Sequence, residues 1–481
     1  MTAKEIAFIA MLMEERFGAG HAQVSRLLLE TGLMPVTAVY RRCRRMNPKI
    51  KDKVLEQILH TFFEHGLLLA QTFPDLAEDG PYISFDLHHA FLTMAEPVMC
   101  YAVEELLGDD AARVLCLVLG LGMPKAEKVF ALLAQKESWT RDNAEKVIIK
   151  LLKTKVLSAL DCFMKYDDDE RKMEVEMVAR KNYWSKLGLM VNRNRLMVAA
   201  LLYMTQSKVE NEPALSSYGS DVYLGLCRAS LFTPLRTDYL CDDLFLPVTA
   251  DDVLRNIEHN VEEMNIGIVR QNLDGIVAMV DGFLQTVDDG YAIRGPKLLG
   301  MWAESILYEQ LKAEFPQVGL ARVTMQFLLR HPRPYVQAKA VEMDLCSSTH
   351  ALRYAVNELA RCGFVDLMGT SQAASFEPGR MELFLHVNLP RLYRQKILPS
   401  QLQTLFRNHY LKSTLKKSQE NVPPSECDEK HCRMELSFAD SLLFSLMYIK
   451  ACGAITDEKS SSEAYSLLEF FSRNTIPEAE Q

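Results

Sequence analysis

The sequence has no long hydrophobic run. Its longest uninterrupted apolar stretch, Val114 to Met123 with two glycines counted in, is about half of what a membrane-spanning helix needs, so no transmembrane segment is expected. Basic charge is also short: 54 Lys and Arg against 63 Asp and Glu leave a net charge of −9 over 481 residues. No global basic field would hold nucleic acid, and any polyanion contact must come from a local patch. The opening, MTAKEIAFIAMLMEERF, lacks the basic n-region and small-residue cleavage site of a secretory signal. A disulfide framework is missing too. The eleven cysteines (Cys43, Cys100, Cys116, Cys162, Cys227, Cys241, Cys346, Cys362, Cys427, Cys432 and Cys452) are odd in number and scattered. They read as buried free thiols of a cytosolic or nuclear protein.

Catalytic motifs are equally scarce. There is no GxxxxGK[ST], GxSxG or HExxH, which leaves P-loop, nucleophile-elbow and zincin chemistry without their residues. Gly120-Leu121-Gly122 lacks the third glycine and the βαβ context of a dinucleotide fingerprint and reads as a loop between helices. Asp167-Asp168-Asp169-Glu170 reads as a solvated linker, because consecutive carboxylates repel. Cys427, His431 and Cys432 have no second ligand pair nearby, with Cys452 a distant fourth at best. His65 and His88-His89 read as helix-end or interface histidines. No catalytic residue, cofactor or metal is expected.

What is present is helical periodicity. Ile6, Ile9, Leu12 and Met13, and Val54, Ile58, Leu59, Phe62 and Phe63, form apolar stripes of helical spacing. At 48% hydrophobic and 24% charged the chain is not disordered, and its length suits about three to five modules. A pattern recurs four times: helix, helix, longer helix, a glycine or lysine at its end, strand, polar tip, strand. The first instance runs from Lys51 through His65-Gly66 to Leu67–Gln71 and Tyr82–Phe85. The second has a helix over Ala144–Lys155 and a strand over Val156–Leu160, with no obvious returning strand. The third has a helix over Ile276–Asp281, then Gly282, Phe283–Val287, a turn at Asp288-Asp289-Gly290, and Tyr291–Ile293. The fourth places a helix over Val336–Met343, Ser348 as N-cap of a helix His350–Arg361, then Cys362-Gly363, Phe364–Met368 and Glu382–Val387.

Three helices with a two-stranded wing make a winged helix. The expected fold is therefore mainly α: tandem winged helices over 1–90, 91–165, 180–298 and 299–398, then a C-terminal helical hairpin and tail over 399–481. The first wing tip is read at Phe73 to Pro81, and Pro423-Pro424 interrupts the hairpin.

One charge cluster stands out. Arg41, Arg42, Arg44, Arg45, Lys49, Lys51 and Lys53 fall within thirteen residues that hold a single acid, Asp52. They are placed between the second and third helices of the first repeat and at the start of the third. The bland reading is a solvated face; the functional one is a surface for DNA phosphates or an acidic partner, the two not separated. Arg330, Arg333 and Lys339 form a thinner cluster, and Lys412, Lys416 and Lys417 a solvated helix face.

Met1–Ile6 through Glu14-Glu15-Arg16-Phe17-Gly18, Leu28-Leu29-Glu30-Thr31-Gly32 and Val54–Gln71 resemble the start of the large winged-helix subunit of the RNA polymerase III initiation heterotrimer. Tyr183-Trp184 with Asn194-Arg195, Leu244–Ile257, and Leu383-Phe384-Leu385 with Leu392-Tyr393 resemble later parts of that subunit. The resemblance covers most of residues 1–415 and implies four winged helices and a coiled-coil-like C-terminal segment, related in architecture to the large subunit of TFIIE. It also implies a nuclear, non-catalytic subunit of a DNA-directed RNA polymerase. Its implied partners are two smaller heterotrimer subunits, the clamp of the largest polymerase subunit, TFIIIB and promoter DNA, and its role is promoter recognition, DNA opening and transcription initiation. Two departures matter: only about Lys165 to Lys181 lies where relatives often carry a long charged insertion, and prolines break the C-terminal hairpin. The alternatives are a winged-helix protein-interaction scaffold of another nuclear or cytosolic complex, and a free DNA-binding regulator, which the negative net charge disfavours.

Overall fold

A computed structural model describes residues 3–48, 50–71, 81–135, 139–161, 184, 187–213, 215–233, 246–257, 264–279, 282–316, 319–331, 333–371, 381–401, 403 and 404. Outside them lie Lys49, Tyr183, the first wing tip save Pro81, the acidic run 167–170, Cys427, His431 and Cys432, and nearly all of the C-terminal hairpin. The protein is mainly helical, with four small antiparallel sheets among the described residues. It divides into two compact units, residues 1–203 and 204–481, the division falling inside helix Arg193–Glu210.

In the first unit, helices Ala3–Phe17 and Ala19–Thr31 lead into strand Met34–Pro35. Helices Val36–Met46 and Asp52–Glu64 follow, then strands Leu68–Gln71 and Tyr82–Phe85. The last strand is central: Tyr82–Phe85 pairs with Leu68–Gln71 on one side and with Met34–Pro35 on the other. Helices Leu87–Leu107, Asp109–Leu121, Ala126–Leu133 and Arg141–Lys153 come next. Strand Leu157–Asp161 then pairs with Leu187–Val191, and Gly188 of that returning strand also bridges Lys125.

The second unit repeats the order. Helices Gly219–Phe232, Ala250–Arg255 and Ile266–Val277 precede strands Leu284–Val287 and Gly290–Ile293, with Tyr291 also bridging Val248. Helices Gly295–Glu314 and Gly319–Arg330, strand Tyr335–Gln337, and helices Ala338–Asp344 and Thr349–Arg361 lead to strands Asp366–Ser371 and Met381–His386. The strand order again puts the last strand in the middle. Helix Leu389–Leu392 and a π-turn at Tyr393–Ile397 follow.

The helix endings explain the recurrence. In three repeats the third helix stops at a residue with positive φ, Gly66 (66°), Lys155 (57°) and Gly363 (75°); in the other the helix ends at Val277 and Gly282 (55°) lies just before the strand that follows. At Gly66 and Gly363 the hydrogen bonds form a Schellman cap: Gly66 N donates to Phe63 O at 2.9 Å and Leu67 N to Phe62 O at 2.8 Å, as Gly363 and Phe364 do to Ala360 and Leu359. A side chain at Gly66 would also place a Cβ 2.9 Å from the Arg193 guanidinium. Gly66→Ala is therefore expected to destabilise the protein by about 1–2 kcal/mol, read as a lower midpoint of the first unfolding transition in urea.

Several expectations need correction. The returning strand of the second repeat is Leu187–Val191, beyond the boundary read at 165–180. Val336 belongs to a strand, and the helix begins at Ala338. The short first strand of each repeat was not anticipated: it is one to three residues long, and extended residues at the second helix's N-cap (Pro35, Lys125, Thr249, Gln337) carry or adjoin it. Gly120 and Leu121 close helix Asp109–Leu121, and only Gly122, at φ 83°, lies beyond it. The helix expected over Ile276–Asp281 ends at Val277.

Repeats join without spacers. Asp86 alone separates Phe85 from the next helix, Asn192 alone separates Val191 from Arg193, Arg294 alone follows Ile293, and Val387-Asn388 follow His386. Three of these joints cap the helix they start: Asp86 accepts from His89 N at 3.0 Å, Asn192 from Arg195 N at 3.1 Å and Asn388 from Arg391 N at 3.0 Å.

Candidate nucleic-acid interface and the buried charge cluster

Helix Val36–Met46 turns Val39 and Cys43, one turn apart, into the core. That places Arg41, Arg42, Arg44 and Arg45 on the exposed face. These arginines lie within the second short helix of the first repeat, not between it and the next; the run is too polar to read as an element, but two inward residues are enough to seat it. Lys51 is the exposed N-cap of Asp52–Glu64, and Lys53 is exposed in its first turn.

The cluster is not uniformly available. Arg44 Nε donates to Asp52 Oδ1 at 2.8 Å, and its Nη2 pairs with Asp52 Oδ2. That pairing holds the Asp52 carboxyl below the usual carboxylate range. Arg44 and Arg45 also occupy the last turn of their helix, where a cation complements the helix dipole. Arg41 turns its Nε back toward Thr37 O at 3.4 Å. Arg41, Arg42 and Arg45 thus have the least committed charge, and Arg45, three and four residues beyond the other two, shares a helix face with both.

In the second unit Arg330 pairs with Glu304 at 3.7 Å, and Arg333 and Lys339 are exposed. Sequence reasoning missed the outer face of Thr349–Arg361, where Arg353, Tyr354, Asn357 and Arg361 are exposed. The signal was available: positions 353, 357 and 361 recur at helical spacing opposite buried Leu352, Val356 and Leu359. Among the described residues no group of three or more His, Cys, Asp or Glu could hold a metal ion, and no helix is long and apolar enough to cross a membrane.

A second polar constellation lies inside the first unit. Arg16 Nη1 meets Glu96 Oε2 at 2.7 Å, and Arg16 Nη2 donates to Leu119 O at 3.2 Å. Arg193 Nη2 approaches Glu96 Oε1 at 3.6 Å, and the Glu96 and Arg193 side chains are only 12% and 11% exposed. Burial pulls the Arg193 guanidinium below the usual arginine range, against the pull of Glu96. Arg16 ends the opening helix, Glu96 lies mid-way along Leu87–Leu107, and Arg193 starts the helix after the second sheet. One carboxylate therefore ties three helices.

His65 sits beside this cluster, buried, with its ring 4.8 Å from Phe17 in an edge contact. Burial first, then Arg16 and Arg193, lower its pKa to about 4; burial lowers that of His21 as well. In the unfolded chain a histidine titrates near its ordinary value, so between about pH 6.5 and 4 the unfolded state binds the extra proton. Stability is then full above that window and falls as the pH drops through it. The unfolding midpoint in urea is expected to fall across this window, and less steeply in His65→Phe.

Two residues singled out in sequence have structural roles. Trp184 is buried, edge-on to Phe130 at 5.2 Å. Arg195, almost wholly buried, donates Nε to Thr154 O at 2.9 Å, satisfying a carbonyl at the helix end that Lys155, not glycine, terminates.

No family model matches the sequence, and no curated protein is significantly similar to it.

Proposed function

We propose that the chain is a non-catalytic subunit of a nuclear DNA-directed RNA polymerase III, built of four tandem winged helices. It would assist promoter recognition, DNA opening and transcription initiation as part of a heterotrimer on the clamp, alongside TFIIIB. The observation that carries this reading is the recurring order of helix, short strand or bridge, two helices and two strands, with the last strand always central. That is the order of a winged helix. The resemblance of residues 1–32 and 54–71 to the large winged-helix subunit supports the polymerase assignment.

The mechanism is binding. The exposed arginines of Val36–Met46 would neutralise phosphates and release counterions, and a scaffold that binds opened DNA better than closed duplex shifts the population toward the open state. Exposed apolar side chains on the last repeat, Met343 (64%), Tyr354 (56%) and Met368 (46%), favour a protein partner for that surface. Affinity purification of the tagged full-length chain tests the assignment. Polymerase III subunits in stoichiometric yield are expected. Proteasome-lid or cullin-type proteins in their place would replace the reading with that of an interaction scaffold.

A further inference from the structure

Helices Leu87–Leu107 and Asp109–Leu121 pack together and reverse at Gly108 alone, whose φ is 93°. In such a hairpin, residues equally far from the turn lie level with one another, because both helices rise at the same rate. Cys100 and Cys116 are each eight residues from Gly108. About one turn further from the reversal, Arg16 bonds both Glu96 and the carbonyl of Leu119, twelve residues before the turn and eleven after it. At the separation of packed helices, facing Cα atoms come within the range a disulfide spans.

The two thiols are close enough to interact, that of Cys100 half-buried and that of Cys116 exposed. Their interaction favours the thiolate at Cys116, against the opposing effects of burial, Glu104 and Glu96, and keeps the Cys100 thiol protonated. An accessible thiolate beside a protonated partner is the arrangement of a reactive and a resolving cysteine.

We propose that Cys100 and Cys116 form a reversible oxidation site whose co-reactant is a hydroperoxide. The Cys116 thiolate attacks the peroxide oxygen, the O–O bond breaks, and an alcohol or water leaves once protonated, giving Cys116 sulfenic acid. The Cys100 sulfur then attacks Cys116, its proton leaves with the hydroxyl as water, and a disulfide forms. Together two thiols lose two electrons and two protons, and the peroxide gains them. The product is a covalent staple across the hairpin, one rung from the Arg16–Glu96 pair, and a dithiol reductant removes it.

The test uses the full-length chain and hydrogen peroxide. Equimolar peroxide should cause loss of two hydrogens, a linked peptide pair containing Cys100 and Cys116, and full reversal by dithiothreitol. In Cys100→Ser the sulfenic acid has no resolving partner, so its dimedone adduct on Cys116 should exceed that of the unaltered protein by about fivefold or more. In the unaltered protein at pH 7, Cys116 should also alkylate at least about twofold faster than an ordinary exposed thiol, with Cys346, also exposed, as the internal standard. Absence of the linked pair, or oxidation falling first on Cys346, would overturn the site. So would equal dimedone labelling of Cys116 in the two proteins.

Discussion

Glu96→Ala is expected to lower the stability of the first unit by about 3–5 kcal/mol. Glu96 is the carboxylate that pairs with both Arg16 and Arg193. Without it, two guanidiniums stay close together in a site that excludes most water, with the His65 ring beside them. The expected effect is large because the residual charges, not the lost attraction, dominate: a buried ion left without its partner retains its desolvation cost. The double variant Glu96→Met, Arg193→Met removes one charge of each sign and should recover most of the loss. The measurement is the first transition in urea, since a chain of several domains need not unfold in one step. A loss below about 1 kcal/mol would mean that water reaches the cluster and that the three helices are held by apolar packing alone.

On the polymerase function proposed above, replacing Arg41, Arg42 and Arg45 together with glutamate is expected to reduce promoter opening about tenfold or more, while elongation on a preformed scaffold is largely unchanged. Arg44 is left in place because Asp52 already neutralises it and because it helps to close the helix. Each phosphate that is no longer neutralised should lower the slope of log affinity against log salt by about one, so up to about three in all. Those side chains are exposed and touch little of the core, so the fold should survive, and an unchanged circular dichroism spectrum would establish that it does. Unaltered initiation by the reassembled polymerase would remove this helix face from any DNA contact and leave it as solvated surface. Asp52→Asn is the matching control: freeing Arg44 should strengthen any phosphate contact without adding a residue.

The sequence announced the hairpins through their stops. Gly66 and Gly363 end helices where the chain must take a positive φ, Gly282 takes one just before its strand, and Lys155 stands in for a glycine with the same bond, its N–H donating to Leu152 O at 3.0 Å. Strands of four to six residues could be read by alternation; Val248 and Lys125, which take part in the sheets as single bridges, have no period to read. The returning strand at Leu187–Val191 escaped because twenty-five residues (162–186) part it from Leu157–Asp161. For the candidate interface, composition identified Arg41 to Lys53 but not their helix, since only Val39 and Cys43 mark its inner face. The Arg16–Glu96–Arg193 cluster was beyond reach: its members are scattered along the chain, and nothing in a lone arginine shows which carboxylate it will meet.

The one-residue joints at Asp86, Asn192 and Arg294 bear on how such a chain tolerates change. Adding a single amino acid at one of them would swing the following helix by about 100° around its axis, carrying its apolar side out to water. The spans between paired strands obey no such rule: Asp288 and Asp289 suffice in one, and residues 162–186 fill another. Growth and loss of sequence should therefore collect at the ribbon ends, while the seams keep a fixed length, in the way a hinge pin must keep its gauge whatever the size of the door.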